Sequence, residues 1–227
     1  MKRIVQPEYL DQLPPADPQA LHSRRDLRRL NTLMRHHAIL ASQFLGFARQ
    51  NPFDSITELG AGDGNFMLRA AQKISPSLPA QNVTLLDFKD NVSAQTLASF
   101  EKIGWHPQVL VADVFAWPAA KTQVVVSNLF LHHFESGPLR SLLSVIARRA
   151  ELFIAIEPRR GQWSLAWSRL LGLIGCNAVT RHDAVVSVQA GFAGHELSAL
   201  WPDGAGWQLI EKFAPPFSHL FVAQRLP

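Results

Sequence analysis

The stretch Ile56–Phe66, ITELGAGDGNF, places three glycines at alternate positions, two residues after a glutamate. Gly60, Gly62 and Gly64 leave bare backbone that a ligand can approach, and they allow the positive φ of a sharp reversal. Carboxylates surround this cradle in the chain: Glu58 before it, Asp63 within it, Asp87 and Asp113 after later apolar runs. A carboxylate at such a place accepts hydrogen bonds from hydroxyl and amino groups, although Asp63 equally suits a turn former. Histidines come as His36-His37, His132-His133 and His182 beside Asp183. Imidazole titrates near neutrality and can take a proton from an acceptor. Adjacent histidines seldom point the same way and no H-x-x-x-H pattern links the pairs, so no metal site is expected.

The elements that must position these residues alternate. Ile56–Leu59, Val83–Asp87, Val109–Ala112, a run from Val124 and Leu152–Ile156 read as strands. Helices are expected over about Asn65–Ile74, Asn91–Ile103 and Gly137–Arg149. Alternation of this kind predicts a parallel sheet covered on both faces. Trp207–Phe213 and His219–Gln224 are joined by only APPFS, too short for a parallel crossover, so they are expected to pair antiparallel. Upstream, Met1–Pro18 is proline-rich and reads as an irregular arm. Leu27, Leu30, Met34, Ala38, Ala41 and Leu45 then recur at helical spacing, as one long helix or two short ones, with Ser23 as the cap and Asp26 completing a capping box.

The 227 residues, 47% hydrophobic and 18% charged, suffice for one domain with additions and a full core. A net charge of +4 permits an anionic partner without requiring one. The basic run Arg24, Arg25, Arg28, Arg29, Arg35 reads as a solvated helix face, with an anionic substrate group, a membrane surface or RNA as the other readings. The opening MKRIVQPEYLDQLPPADP lacks the apolar core of a secretory signal. The single cysteine, Cys176, suits a reducing compartment, so a cytoplasmic location is expected. The greasiest stretch, Trp163–Cys176, is too short to span a bilayer and holds Arg169.

A dinucleotide fingerprint requires G-x-G-x-x-G, and here Asn65 stands where the last glycine belongs, which argues against a nicotinamide oxidoreductase. The arrangement E-x-G-x-G-x-G from Glu58 to Gly64 resembles instead the first motif of class I methyltransferases that use S-adenosyl-L-methionine (SAM). The likeness continues in order through Asp87, Ala112-Asp113-Val114, Asn128-Leu129 and the C-terminal strand pair, over roughly residues 54–224. It implies a Rossmann-like α/β fold: a mostly parallel seven-stranded sheet with a C-terminal antiparallel hairpin and helices on both faces. Residues 1–52 would form an arm and cap helix or helices, and 53–227 the SAM-binding core, with a lid insertion at about 159–192. SAM would be the cofactor and S-adenosyl-L-homocysteine (SAH) its product. The resemblance assigns Gly60, Ala61, Gly62, Asp63 and Gly64 to the methionine part, with Glu58 near its ammonium. Asp87 would hold the ribose hydroxyls, with a helix cap as its alternative. Phe88, unless it is core, would pack on the adenine, Ala112, Asp113 and Val114 would meet that base, and Asn128 and Leu129 would line the methionine side.

The acceptor side is read from two segments. Ser127–Phe134, SNLFLHHF, lacks the N-P-P-Y or D-P-P-Y of enzymes that methylate base amines, which disfavours a nucleic-acid partner. It is similar to the loop of small-molecule methyltransferases of the quinone and polyketide type. His133 is the first candidate base and His132 the second, each open to a packing role instead. His36 and His37 on the cap helix, His182, Trp163 and Trp167 are candidate substrate contacts. The apolar insertion that follows Arg159 reads as a lid for an aromatic or lipid-like acceptor, or else as core or a dimer face. The expected activity is therefore small-molecule biosynthesis, O-methylation of a hydrophobic hydroxyl by a monomer or homodimer. The alternatives are a protein or RNA methyltransferase and a SAM-binding protein without methyl transfer.

Overall fold

The computed structural model describes residues 1–117, 122–202 and 204–226. In chain order its elements are α1 (Tyr9–Gln12), α2 (Pro18–Leu33), α3 (His36–Ala48), β1 (Ser55–Leu59), α4 (Asn65–Ile74), β2 (Asn82–Asp87) and α5 (Ala94–Glu101). They continue with β3 (His106–Val111), β4 (Val124–Asn128), α6 (Ser136–Arg149), β5 (Leu152–Pro158), α7 (Gln162–Arg169), α8 (Ala178–Ala190), α9 (Glu196–Leu200), β6 (Trp207–Ala214) and β7 (Ser218–Arg225). The strands form one seven-stranded sheet in the order β3-β2-β1-β4-β5-β7-β6. The first five run parallel, while β7 is antiparallel to both β5 and β6.

Both faces of the sheet are buried, which is why its central strands read as unbroken apolar runs. Val124, Val126, Ile154 and Ile156 face a core with Leu40 and Phe44 of α3 and Met67 and Ala70 of α4. Val125, Phe153 and Ala155 face the opposite core, with Leu142 and Ile146 of α6 and with Trp201. Helix α6 buries Leu139, Leu142, Leu143, Ile146 and Ala147, the spacing of a single helical face. Strand order reverses between β1 and β4, and in open sheets ligands bind beyond the strand ends at that point.

In the N-terminal third the second of the two readings holds, and the expected cap is corrected. The cap region is two helices, broken where Arg35 takes a left-handed φ of 59°. Helix α2 is capped by Asp17, whose side chain accepts from the Gln19 amide, with Pro18 preset at the first helical position. Ser23 and Asp26 are not caps: both are buried, Ser23 against Thr180, and Asp26 accepting from the Asn177 amide and the Thr180 hydroxyl. The arm is irregular apart from one short helix, α1, which has fixed partners. Asp183, central in α8, takes the Tyr9 and Leu10 amides of α1 at 2.8 and 2.9 Å, so it caps a helix far from it in sequence. No helix among the described residues is long and apolar enough to cross a membrane.

Candidate active site

Beyond Leu59 the chain reverses through Gly60, Gly62 and Gly64 at φ of 69°, 56° and 70°. A Cβ on Gly60 would lie 2.3 Å from the Phe130 ring, so this glycine lets β1 and β4 approach. A Cβ on Gly62 would meet nothing within 4 Å. That glycine faces open space in a cavity of about 420 Å³. Its amide donates to Asp87 Oδ2 at 2.8 Å, tying the turn to the end of β2, and Asp87 Oδ1 accepts from the Lys89 amide. Gly64 faces inward, towards Leu85.

Glu58 lines the same cavity and is 1% exposed. Its Oε2 has no hydrogen-bond partner. Burial, then the charges of Asp63 and Asp87, hold its carboxyl well above the usual carboxylate range. A cation delivered by a ligand would satisfy this oxygen and restore its charge. Asp63 is engaged, accepting from Arg28 at 2.7 Å and from the Asn65 amide at 3.0 Å. Phe88, 76% exposed, presents its ring at the cavity rim and is not core. Ala112, Asp113 and Val114 follow β3 and lie outside both cavity linings. Asp113 Oδ1 caps the turn that follows, and Val114 is buried in the second core.

At the end of β4, Asn128 and Leu129 both line the cavity. Leu129 has φ of 53°, a conformation a branched side chain rarely takes outside sites where the fold imposes it. It also lines a second cavity of about 340 Å³, walled by Leu27, Leu30, Met34, Trp167, Leu171 and Phe217 among others. The two cavities share Glu8, Leu10, Leu27, Leu129 and Ser187.

Burial separates the histidines. His132, 2% exposed, has Nδ1 at 2.9 Å from Glu157 and Nε2 at 3.2 Å from Glu8. Burial opposes its charge, but the hydrogen bonds and charges of the two carboxylates outweigh it and raise its pKa to about 9. Glu157 also accepts from the Ser127 hydroxyl and the Phe130 and Leu131 amides. Glu8 is likewise desolvated, yet His132 and the Ser187 hydroxyl bring it to about 2. His132 is therefore an imidazolium at neutral pH and has no free nitrogen to act as a base. His133 lies beside it with its ring tilted by 31°, ring centroids 4.3 Å apart, and lines the polar cavity. Burial and the neighbouring cation lower its pKa, so it is neutral and able to accept a proton. Its Nδ1 lies 3.4 Å from Asp11.

The other histidines lie outside both cavity linings. His36 is fully buried, its Nδ1 bonded to Asn31 and Asn128 and its Nε2 to Ser218 at 2.6 Å. His37 packs beside Phe66. His182 stacks on Tyr9 at 3.6 Å and holds Asp183. Trp167 lines the apolar cavity, whereas Trp163 is 81% exposed and lines neither.

Sequence reasoning missed Glu8, Leu10 and Asp11, which carry no periodic signal. The arm brings them in because Arg3 donates to the carbonyls of Ala190, His132 and Phe134, and Lys89 to those of Asp11 and Leu13. Glu157 was detectable: it is a lone acid at the end of the apolar run Leu152–Ile156.

Residues 56–151 match the family model described as "Methyltransferase domain". No curated protein matches the chain significantly. Among solved structures, the fold is similar to the plantazolicin methyltransferase BpumL in complex with SAH, at 13% identity and TM-score 0.67, covering 93% of this chain and 92% of that one. It is also similar to magnesium protoporphyrin IX methyltransferase (ChlM) from Synechocystis PCC 6803 with bound SAM, at 12% identity and TM-score 0.57, covering 85% and 79%. A putative O-methyltransferase from Nostoc punctiforme PCC 73102 matches at 13% identity and TM-score 0.58, covering 84% and 56%. The glycine turn with Glu58, the β2 carboxylate and the end of β4 all fall within the segment that matches the methyltransferase-domain model.

Proposed function

We propose that the protein binds SAM in the polar cavity and methylates a hydroxyl of a hydrophobic aromatic or polyketide/quinone-like small molecule seated in the apolar one. The observation that carries this reading is the junction: a polar cavity floored by the glycine turn adjoins an apolar cavity, with Leu129 and Glu8 in both walls. SAM supplies an electrophilic methyl group on a sulfonium. Glu58 pairs with the ammonium of its methionine part, Asp87 accepts from the ribose hydroxyls, and Phe88 offers a ring face to the adenine. Leu27, Leu30, Met34 and Leu171 exclude water around the acceptor. His133, kept neutral beside charged His132, takes the hydroxyl proton. Holding the two reactants together accounts for most of the acceleration, since orientation can contribute about 7–11 kcal/mol.

Calorimetric titration with SAM and turnover of hydrophobic phenols with methyl-labelled SAM test the reading. Asp87→Ala should weaken SAM by about 10- to 150-fold, the loss of charge-assisted hydrogen bonds. Tight NADH binding, or wild-type SAM affinity in Asp87→Ala, would overturn it.

A further inference from the structure

The lid is built inside out. Helix α7 buries Ser164 and Ser168, while Trp163 and Trp167, also four residues apart, are 81% and 52% exposed. The turn that follows adds Leu170, Leu173 and Ile174 at 46%, 82% and 54% exposure. Five large apolar side chains thus stand in water within residues 163–174. A contiguous exposed patch of this kind marks an interaction surface, unlike apolar residues scattered singly.

This segment is also a wall of the apolar cavity, through Ser164, Trp167, Ser168, Leu171 and Ile174. The exposed patch and the cavity are two sides of one thin layer. Its charge has a single sign. From Arg159 to His182 the chain holds four arginines and neither aspartate nor glutamate. Arg160 is paired with Glu196, but Arg159, Arg169 and Arg181 are exposed, and the Arg181 side chain lies against Gly172 in the patch itself. A symmetric contact between two copies would set this surface against itself, arginine facing arginine. An anionic lipid interface, in contrast, takes tryptophan and leucine into its outer layer and arginine at its phosphates.

We propose that α7 and the turn after it dock on an anionic bilayer. Trp163, Trp167, Leu170, Leu173 and Ile174 enter the headgroup boundary, Arg169 and Arg181 meet the phosphates, and the acceptor passes from lipid into the cavity behind the lid. The inference rests on the reading of that cavity as an acceptor site.

Sedimentation of the full chain with vesicles of phosphatidylcholine, alone or mixed with phosphatidylglycerol, tests it. The mixed vesicles should retain the protein, retention should fall with salt, and brominated acyl chains should quench tryptophan emission. Trp163 and Trp167 are the exposed tryptophans, so they report insertion. The variant Leu170→Ser/Leu173→Ser changes two side chains that line neither cavity. It should partition about tenfold less or weaker still, with unchanged thermal unfolding and SAM affinity. Absence of binding to mixed vesicles, equal binding to neutral ones, or unchanged partitioning of the double variant would overturn the proposal. So would light scattering that finds a wild-type dimer dissolved by the same changes. Turnover of a soluble phenol, measured in parallel, separates the two readings. Vesicle binding without turnover counts against the methyltransferase assignment of the cavity alone, and turnover without vesicle binding against the docking surface alone.

Discussion

His36 and His132 are both buried beside the end of β4, yet the protein keeps the first neutral and the second charged. His36 contacts only neutral partners, Asn31, Asn128 and Ser218, and burial takes its pKa down to about 4. His132 sits between Glu157 and Glu8, which raise its pKa to about 9 against the same burial. Burial alone therefore does not set the charge of a histidine; the partners that surround it do. The difference divides the labour around the cavities. The neutral network fixes Asn128 against the cap helices. The charged one clamps the arm to the sheet, and its cation adds to the burial that lowers the pKa of the adjacent His133.

The comparison is sharpened most by His133, which burial and then the charge of His132 keep unprotonated. His133→Ala should lower kcat by about 10²- to 10⁴-fold, the usual contribution of a positioned base, while SAM affinity stays close to wild type. Because its pKa is lowered, the wild-type rate should hold as pH falls through the ordinary histidine range near 6.5 and decline only below it. Steady-state kinetics across pH decides this, and a full-rate variant with an unaltered profile would return His133 to a structural role.

The next effect is on stability. His132→Ala strands two buried carboxylates and should cost about 3–5 kcal/mol in denaturant unfolding. His36→Ala leaves only neutral groups unpaired and should cost about 1–3 kcal/mol. Equal costs would break the contrast between the two sites.

A third effect is the pH dependence of unfolding. His132 has a raised folded pKa, so its contribution is fully present below about 6.5 and is lost as pH rises through about 9. His36 has a depressed one, so the unfolded chain takes up the proton first and stability falls as pH drops from about 6.5 towards 4. Each limb is worth roughly 3 kcal/mol. His37, also lowered to about 4, adds to the acid limb. Thermal unfolding of His36→Asn across pH should show a flatter acid limb and an unchanged alkaline one. An acid limb as steep as wild type would remove His36 from the account.

Much of the sheet was legible because local signals agreed with it. Apolar runs of strand length, a glycine turn of fixed spacing and a connection too short for a crossover all report on neighbours in the chain. Helix α4 lies at Asn65–Ile74 as its periodicity predicts, and the antiparallel pairing of β6 with β7 follows from the short APPFS link. The start of α2 was misplaced because Ser23 and Asp26 make a persuasive capping pattern, yet their partners are Thr180 and Asn177, contacts that only packing against α8 creates.

The sequence by itself determined where backbone had to be bare and where carboxylates ended strands, since those are properties of residue type and spacing. It could not determine which histidine carries a charge. That depends on Glu8 reaching His132 across 124 positions of chain and on Glu157 reaching it across 25. Only the folded sheet, with the arm drawn over it by Arg3 and Asp183, brings those groups within hydrogen-bond distance. Electrostatic environment is a property of three-dimensional proximity in a desolvated volume, and tertiary structure alone supplies both the proximity and the desolvation.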